Sequence, residues 1–239
     1  MAREREQGER MNAQSPADES HLSDEPPAGL VEAQRIAIRV AEKATRLAVP
    51  GQTERELHRI IDRLVLEEGA VGVWTPTTVG FGEGTMHCYP TDVPSDRALW
   101  NLDLGMVDVH PVTADGWWGD CTRSFQQGAN VAQGEALATI ERIHATVLAA
   151  ARPGMRACDW FAVFAEEVAK TPYRLMDRLS NIGHSLSASS SYDDGYIDAS
   201  NETVMRGAWA VEPFIGNHLY GAKREDVVWF GPTRCTVIS

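Results

Sequence analysis

The chain has 239 residues, 43% of them hydrophobic, which is enough for a packed core in one large domain or two small ones. A formal net charge of -12 argues against a nucleic-acid partner, since phosphate would be repelled. No run approaches the roughly 18 apolar residues of a membrane helix, and the opening MAREREQGER lacks the apolar stretch of a secretory signal. With no export signal, no CxxC and no zinc spacing, Cys88, Cys121, Cys158 and Cys235 are expected to be free thiols in a cytoplasmic protein that has no membrane partner.

Residues 1–27 are polar, end in Pro26-Pro27 and carry almost no apolar side chains, so a disordered tail is expected there. Residues 28–239 form the expected catalytic domain. A helical pattern starts at Leu30, runs through Ile36, Val40 and Leu47, and stops at Pro50-Gly51. Thr53 with Glu56 three residues on is a capping box; Leu57, Ile60, Ile61 and Leu64 follow, and Gly69 ends that helix. Residues 71–80 read as a β-branched strand, followed by a Gly-rich loop carrying His87 and a second loop over 90–96. Strands are predicted near 104–112 and 117–126 around the Ala114-Asp115-Gly116 turn, then helices near 132–151 and 157–170. Further strands are predicted near 208–215, 225–230 and 234–238.

Ala48-Val49-Pro50-Gly51, followed by Thr53 and Glu56-Leu57, matches Ala151-Arg152-Pro153-Gly154, followed by Arg156 and Asp159-Trp160, at a constant offset of 103. Helix pairs flank both copies. A duplicated helix–helix–strand half follows, and two such halves make an α+β domain with a central sheet and helices on one face.

Five acidic or imidazole side chains interrupt strand-like sequence. Asp108 and Asp120 sit on neighbouring strands of the expected hairpin, where a buried carboxylate is costly unless a cation or hydrogen bonds compensate it. Glu212 lies between Val211 and Pro213-Phe214-Ile215, a setting that solubility does not explain. His184, in Ile182-Gly183-His184, and Glu225, in Lys223-Arg224-Glu225-Asp226, say little on their own. Four carboxylates and one imidazole suit two divalent cations side by side, and such a pair makes hydroxide from water at neutral pH.

In order and surroundings, these segments resemble the pita-bread metallohydrolase superfamily of methionine aminopeptidases, Xaa-Pro aminopeptidases, prolidases and creatinase. The resemblance covers about residues 30–239: the Gly51-to-Leu57 helix start, His87, the Asp108-to-Arg123 hairpin, Gly183-His184, Glu212-Pro213 and Arg224-Glu225-Asp226. It implies two pseudo-symmetric halves around a curved central antiparallel sheet with helices on its outer face. It also implies metal ligation by Asp108, Asp120, His184, Glu212 and Glu225, with Asp120 and Glu225 bridging both ions. Glu212 would double as proton shuttle, His87 would contact the substrate, and a hydroxide between the metals would attack the scissile carbonyl. Asp103 imitates the family's Asp-Leu-Gly motif, but at 17 residues before Asp120 it is too far for the hairpin; Asp108 is taken as the ligand.

The surroundings look closest to the Xaa-Pro group, without its N-terminal domain. A second histidine usual after His184 is absent, with Ser191 or its neighbours in its place and His110 and His218 as alternatives. The implied function is cleavage of an amide bond in a small peptide or peptide-like substrate. Mn²⁺, Fe²⁺ or Co²⁺ suits the ligands at least as well as Zn²⁺, and a homodimer is compatible. A non-peptidase acting on another C–N bond, and a metal-free binding protein on the same scaffold, are the competing readings.

Overall fold

The computed structural model describes residues 23–239. The expected tail at 1–27 therefore lies mostly outside the described residues. Its last residues are tied down: Trp229 Nε1 donates to Ser23 O at 2.8 Å, and Thr233 N donates to Asp24 at 2.8 Å.

Helix α1 (Ala28–Leu47) presents Leu30, Ala33, Ile36, Ala37, Val40, Ala41 and Ala44 as a buried stripe. Helix α2 (Glu54–Glu67) begins at the expected capping box, in which Thr53 and Glu56 satisfy each other's free amides. Gly69, at φ +103°, adopts the left-handed turn that follows its C-cap. The single strand expected over 71–80 is two, β1 (Gly72–Val73) and β2 (Thr78–Phe81). Pro76 lies between them, and β1 turns away to pair with β4 (Pro111–Val112). Next come β3 (Leu104–Val109) and β5 (Cys121–Gln126), and the order β2-β3-β5 is an antiparallel meander.

Helices α3 (Val131–Ala150) and α4 (Ala157–Val168) open the second half. Short β6 (Arg174–Leu175) precedes β7 (Gly183–Ser187), β8 (Ser190–Tyr196) and β9 (Gly207–Val211). Then come β10 (Phe214–Gly216), β11 (Gly221–Lys223), β12 (Asp226–Phe230) and β13 (Cys235–Ile238). The sheet order β13-β12-β9-β7-β8 contains a second antiparallel meander, β7-β9-β12.

The repeat extends well past its Pro-Gly signal. The same offset of 103 carries α1 onto α3 from first residue to last, the first residue of α2 onto that of α4, and the start of β3 near that of β9. Each helix pair closes its own core. Ile36, Val40, Leu57 and Ile61 pack with Phe81, Val107 and Val109 in the first half. Ile140, Ile143, Trp160 and Phe164 pack with Trp209, Val211, Val228 and Phe230 in the second. The result is a mixed α+β architecture of antiparallel sheets with flanking helices. The halves meet where an isolated bridge joins Arg123 to Arg224 and Glu225 N donates to Thr122 O at 3.2 Å.

Candidate metal centre

The seam between the halves gathers the five expected residues. Asp108 is in the middle of β3 and Asp120 immediately precedes β5; His184 is on β7, Glu212 follows β9, and Glu225 lies between β11 and β12. Local sequence allows each approach. A Cβ at Gly119 would collide with the Ala33 carbonyl of α1, and one at Gly183 (φ +144°) with the Ala210 carbonyl of β9. Glycine therefore lets the segments carrying Asp120 and His184 lie against their neighbours. Gln34 clamps the Asp120 backbone: its Nε2 donates to Asp120 O at 2.7 Å, and its Oε1 accepts from Asp120 N at 2.9 Å.

Asp108, Asp120, His184 and Glu225 are buried, and Glu212 nearly so. His184 Nε2 is 3.4 Å from Asp120 Oδ2 and 3.8 Å from Glu212 Oε1, while its Nδ1 lies 2.9 Å from Ser185 O. The Thr122 hydroxyl is 2.7 Å from both Asp108 Oδ1 and Glu225 Oε2, tying one half's acid to the other's. Two sets of three residues, Asp108-His110-Asp120 and Asp120-His184-Glu225, each bring a ligand atom apiece to within 4.8 Å of one another. They share Asp120.

The electrostatics are those of an acidic cluster short of positive charge. Burial raises the Glu225 carboxyl well above the usual range, and the charge of Asp120 adds to it. Burial also raises Glu212, although Lys223 and His184 oppose the shift. Asp108 goes the other way: burial works against its charge, but Lys223 and His110 outweigh that and hold it well below the ordinary carboxylate value. Burial disfavours the His184 imidazolium, yet Asp120 and Glu212 raise its pKa overall. Glu225 Oε1 is buried with no hydrogen-bond partner among the described residues, a costly state for a carboxylate oxygen and one that a cation would relieve. The donor set fits divalent metal ions.

Several residues at this centre were not anticipated. Lys223, on β11, places its Nζ against Glu212 Oε2, 3.3 Å from Asp108 Oδ2 and 3.5 Å from Cys88 Sγ. In sequence its charged neighbours suggest no more than a hairpin tip. Gln34 was legible in principle as the polar residue on an apolar helix stripe, and Thr122 only through its neighbour Asp120.

A cavity of about 310 Å³ opens above the carboxylates, lined among others by Trp74, Cys88, Tyr89, Tyr192, Tyr196 and Lys223. Trp118 stacks on Trp74 at 4.9 Å, and Tyr192 leans on the His184 ring at 4.3 Å. Tyr192, in β8, holds φ +67°, an uncommon conformation for a bulky side chain and one that clusters at functional sites. His87 is exposed and lines a neighbouring cavity, of about 490 Å³, with Met86, Val93 and Arg97; Thr78 and Thr91 border both spaces. Asp103 is outside the centre, ion-paired with Arg97 at 2.7 Å and accepting from Trp100 N at 2.8 Å.

Comparison with known proteins agrees with this geometry. The chain is 28% identical over 198 residues to the probable dipeptidase PepE of Mycobacterium tuberculosis, a match covering 80% of this chain and 50% of that protein. The solved dipeptidase PepE from Mycobacterium ulcerans superposes with a TM-score of 0.80 at 25% identity, covering 90% of this chain and 58% of that one. Methionine aminopeptidase from Thermotoga maritima shares the fold at a TM-score of 0.76 and 15% identity, covering 91% and 99%. The chain thus spans about half the length of the curated relatives it matches. Residues 28–231 match the model of metallopeptidase family M24, and the chain belongs to that family.

Proposed function

We propose that the chain is a dinuclear metal-dependent hydrolase that cleaves an amide bond in a small peptide or peptide-like substrate. The observation that carries this reading is the buried convergence of Asp108, Asp120, His184, Glu212 and Glu225 beneath an aromatic-walled cavity. Asp108, Asp120, His184, Glu212 and Glu225 would hold the two ions. When bound, the ions supply Lewis-acid polarisation of a carbonyl and a nucleophile available at neutral pH. Family membership and the solved dipeptidase relative support amide chemistry.

The chain's own residues supply the rest. Glu212, in contact with Lys223 and 3.8 Å from His184 Nε2, is placed to pass a proton to a leaving nitrogen. Lys223, braced between Glu212 and Asp108, fixes where that carboxylate points. Trp74, Tyr192 and Tyr196 exclude water and present flat faces to a compact substrate. His87 takes part where a substrate extends past Thr78 and Thr91 into the second cavity. No helix among the described residues is long and apolar enough to cross a membrane, and the proposed setting is the cytoplasm.

A panel of Met-, Pro- and Xaa-Pro-containing dipeptides and tripeptides, offered with Mn²⁺, Co²⁺, Fe²⁺ or Zn²⁺ in turn, tests the reading. Turnover of at least one with release of a free amine is expected. Silence across the whole panel, from protein shown to carry metal, would sink the peptidase assignment.

A further inference from the structure

His110 is a second imidazole at the centre, outside the five residues proposed above. It follows β3 directly, is 6% exposed, and places Nε2 3.3 Å from Asp108 Oδ2 and 3.5 Å from Asp120 Oδ1. Asp120 thus turns one oxygen toward each imidazole, Oδ1 to His110 and Oδ2 to His184. Trp74 lies edge-on to both rings, at 5.2 Å and 79° to His110 and 6.0 Å and 74° to His184. Its own indole is anchored by Nε1 donating to Gly119 O at 3.0 Å, so one fixed ring sets the orientation of two imidazoles.

We propose that His110 is a protein ligand of the second cation, beside Asp108 and Asp120, so that each metal position carries one imidazole. This rests on the reading of the chain as a two-metal protein. A nitrogen donor shifts that position away from Mn²⁺ and toward Co²⁺ and Zn²⁺ relative to carboxylates alone. The two positions are unequal. His184 Nδ1 is pinned by Ser185 O, whereas His110 Nδ1 is buried with no partner among the described residues. The Lys223 ammonium, 3.3 Å from Asp108 Oδ2, also competes with a cation there. The His110 position is the weaker one.

Metal-free protein titrated with Co²⁺, followed by visible absorption and by equilibrium dialysis, tests this without an activity assay. The wild type should take up two equivalents in a tight and a weak step. His110→Ala should keep the tight step and weaken the other at least tenfold; His184→Ala should instead weaken the tight step. His110→Asp, which returns an oxygen donor, should restore the second equivalent with a preference moved from Co²⁺ toward Mn²⁺, and it covers the event that the alanine variant fails to fold. If His110→Ala and His110→Asp bind two Co²⁺ with wild-type affinities, the ligand assignment is overturned while the two-metal reading stands. If the wild type itself takes up less than one equivalent, both fall.

Discussion

Asp103 and Asp108 show how much a single residue's surroundings decide. Both interrupt the same apolar stretch, and the motif-like setting of Asp103 makes it the rival of Asp108. In the fold, Asp103 is consumed by structure, accepting from Arg97 and from Trp100 N. Asp108 faces Lys223, His110 and the Thr122 hydroxyl instead. Asp108→Ala should therefore lose at least one metal equivalent, counted by elemental analysis. Asp103→Ala should keep its metal and lose about 1–2 kcal/mol of stability through its half-buried ion pair and lost hydrogen bonds. The reverse pattern of metal loss would show that the hairpin register is wrong. The β3–β5 pairing that brings Asp108 near Asp120 was legible because a short turn limits which carboxylates can be neighbours. Lys223 was not legible, because a lysine beside arginine, glutamate and aspartate looks solvated until topology buries it.

Among the elements, helix ends were the most readable features, since capping is local chemistry. Thr53 and Glu56 form the expected reciprocal cap, and α2 begins where it should. The β7–β8 hairpin was missed for the opposite reason. Its Ser187–Ser191 stretch has no apolar alternation, and its pairing comes from backbone register across a bulge between His184 and Leu186. Glu54, one residue past the cap, does something no local pattern announces. Its buried carboxylate accepts from Phe81 N, Ser95 N and Ser95 Oγ, joining α2 to β2 and to the loop before β3. Thr53→Ala should cost about 1 kcal/mol, whereas Glu54→Ala, which strands the buried Phe81 N and loses two further hydrogen bonds, should cost about 2–3 kcal/mol. Urea denaturation of the two variants checks the order. Equal costs would mean that Glu54 is replaceable by water.

Across the whole molecule, the candidate metal centre draws on both copies of the repeat: the first half supplies Asp108 and Asp120, the second His184, Glu212 and Glu225. The repeat was visible in sequence only at its Pro-Gly joints, because strands diverge in residue type while keeping their order. What fastens the halves lay out of reach, since its members are scattered: Arg123 of β5 pairs with Asp226 of β12 at 2.7 Å, and His144 of α3 lies below with Nε2 3.5 Å from Asp226 Oδ2. Burial pulls the His144 pKa down to about 4, only partly opposed by Asp226, so the folded state holds this ring neutral. An unfolded chain protonates it near the ordinary value of 6.5. A depressed folded pKa gives stability that is present above the unfolded value and is lost as pH falls toward the folded one. Between pH 7 and pH 5 the loss from this one group is about 2 kcal/mol. His144→Gln should remove that part of the pH dependence, so that the variant's stability at pH 5 approaches or passes that of the wild type despite a lower value at pH 7. Urea unfolding of both chelator-treated proteins at the two pH values isolates the contribution, since the carboxylates titrate alike in each. Parallel pH profiles would mean that the seam does not hold His144 neutral, and that acid loosens the halves through the carboxylates of the candidate centre instead.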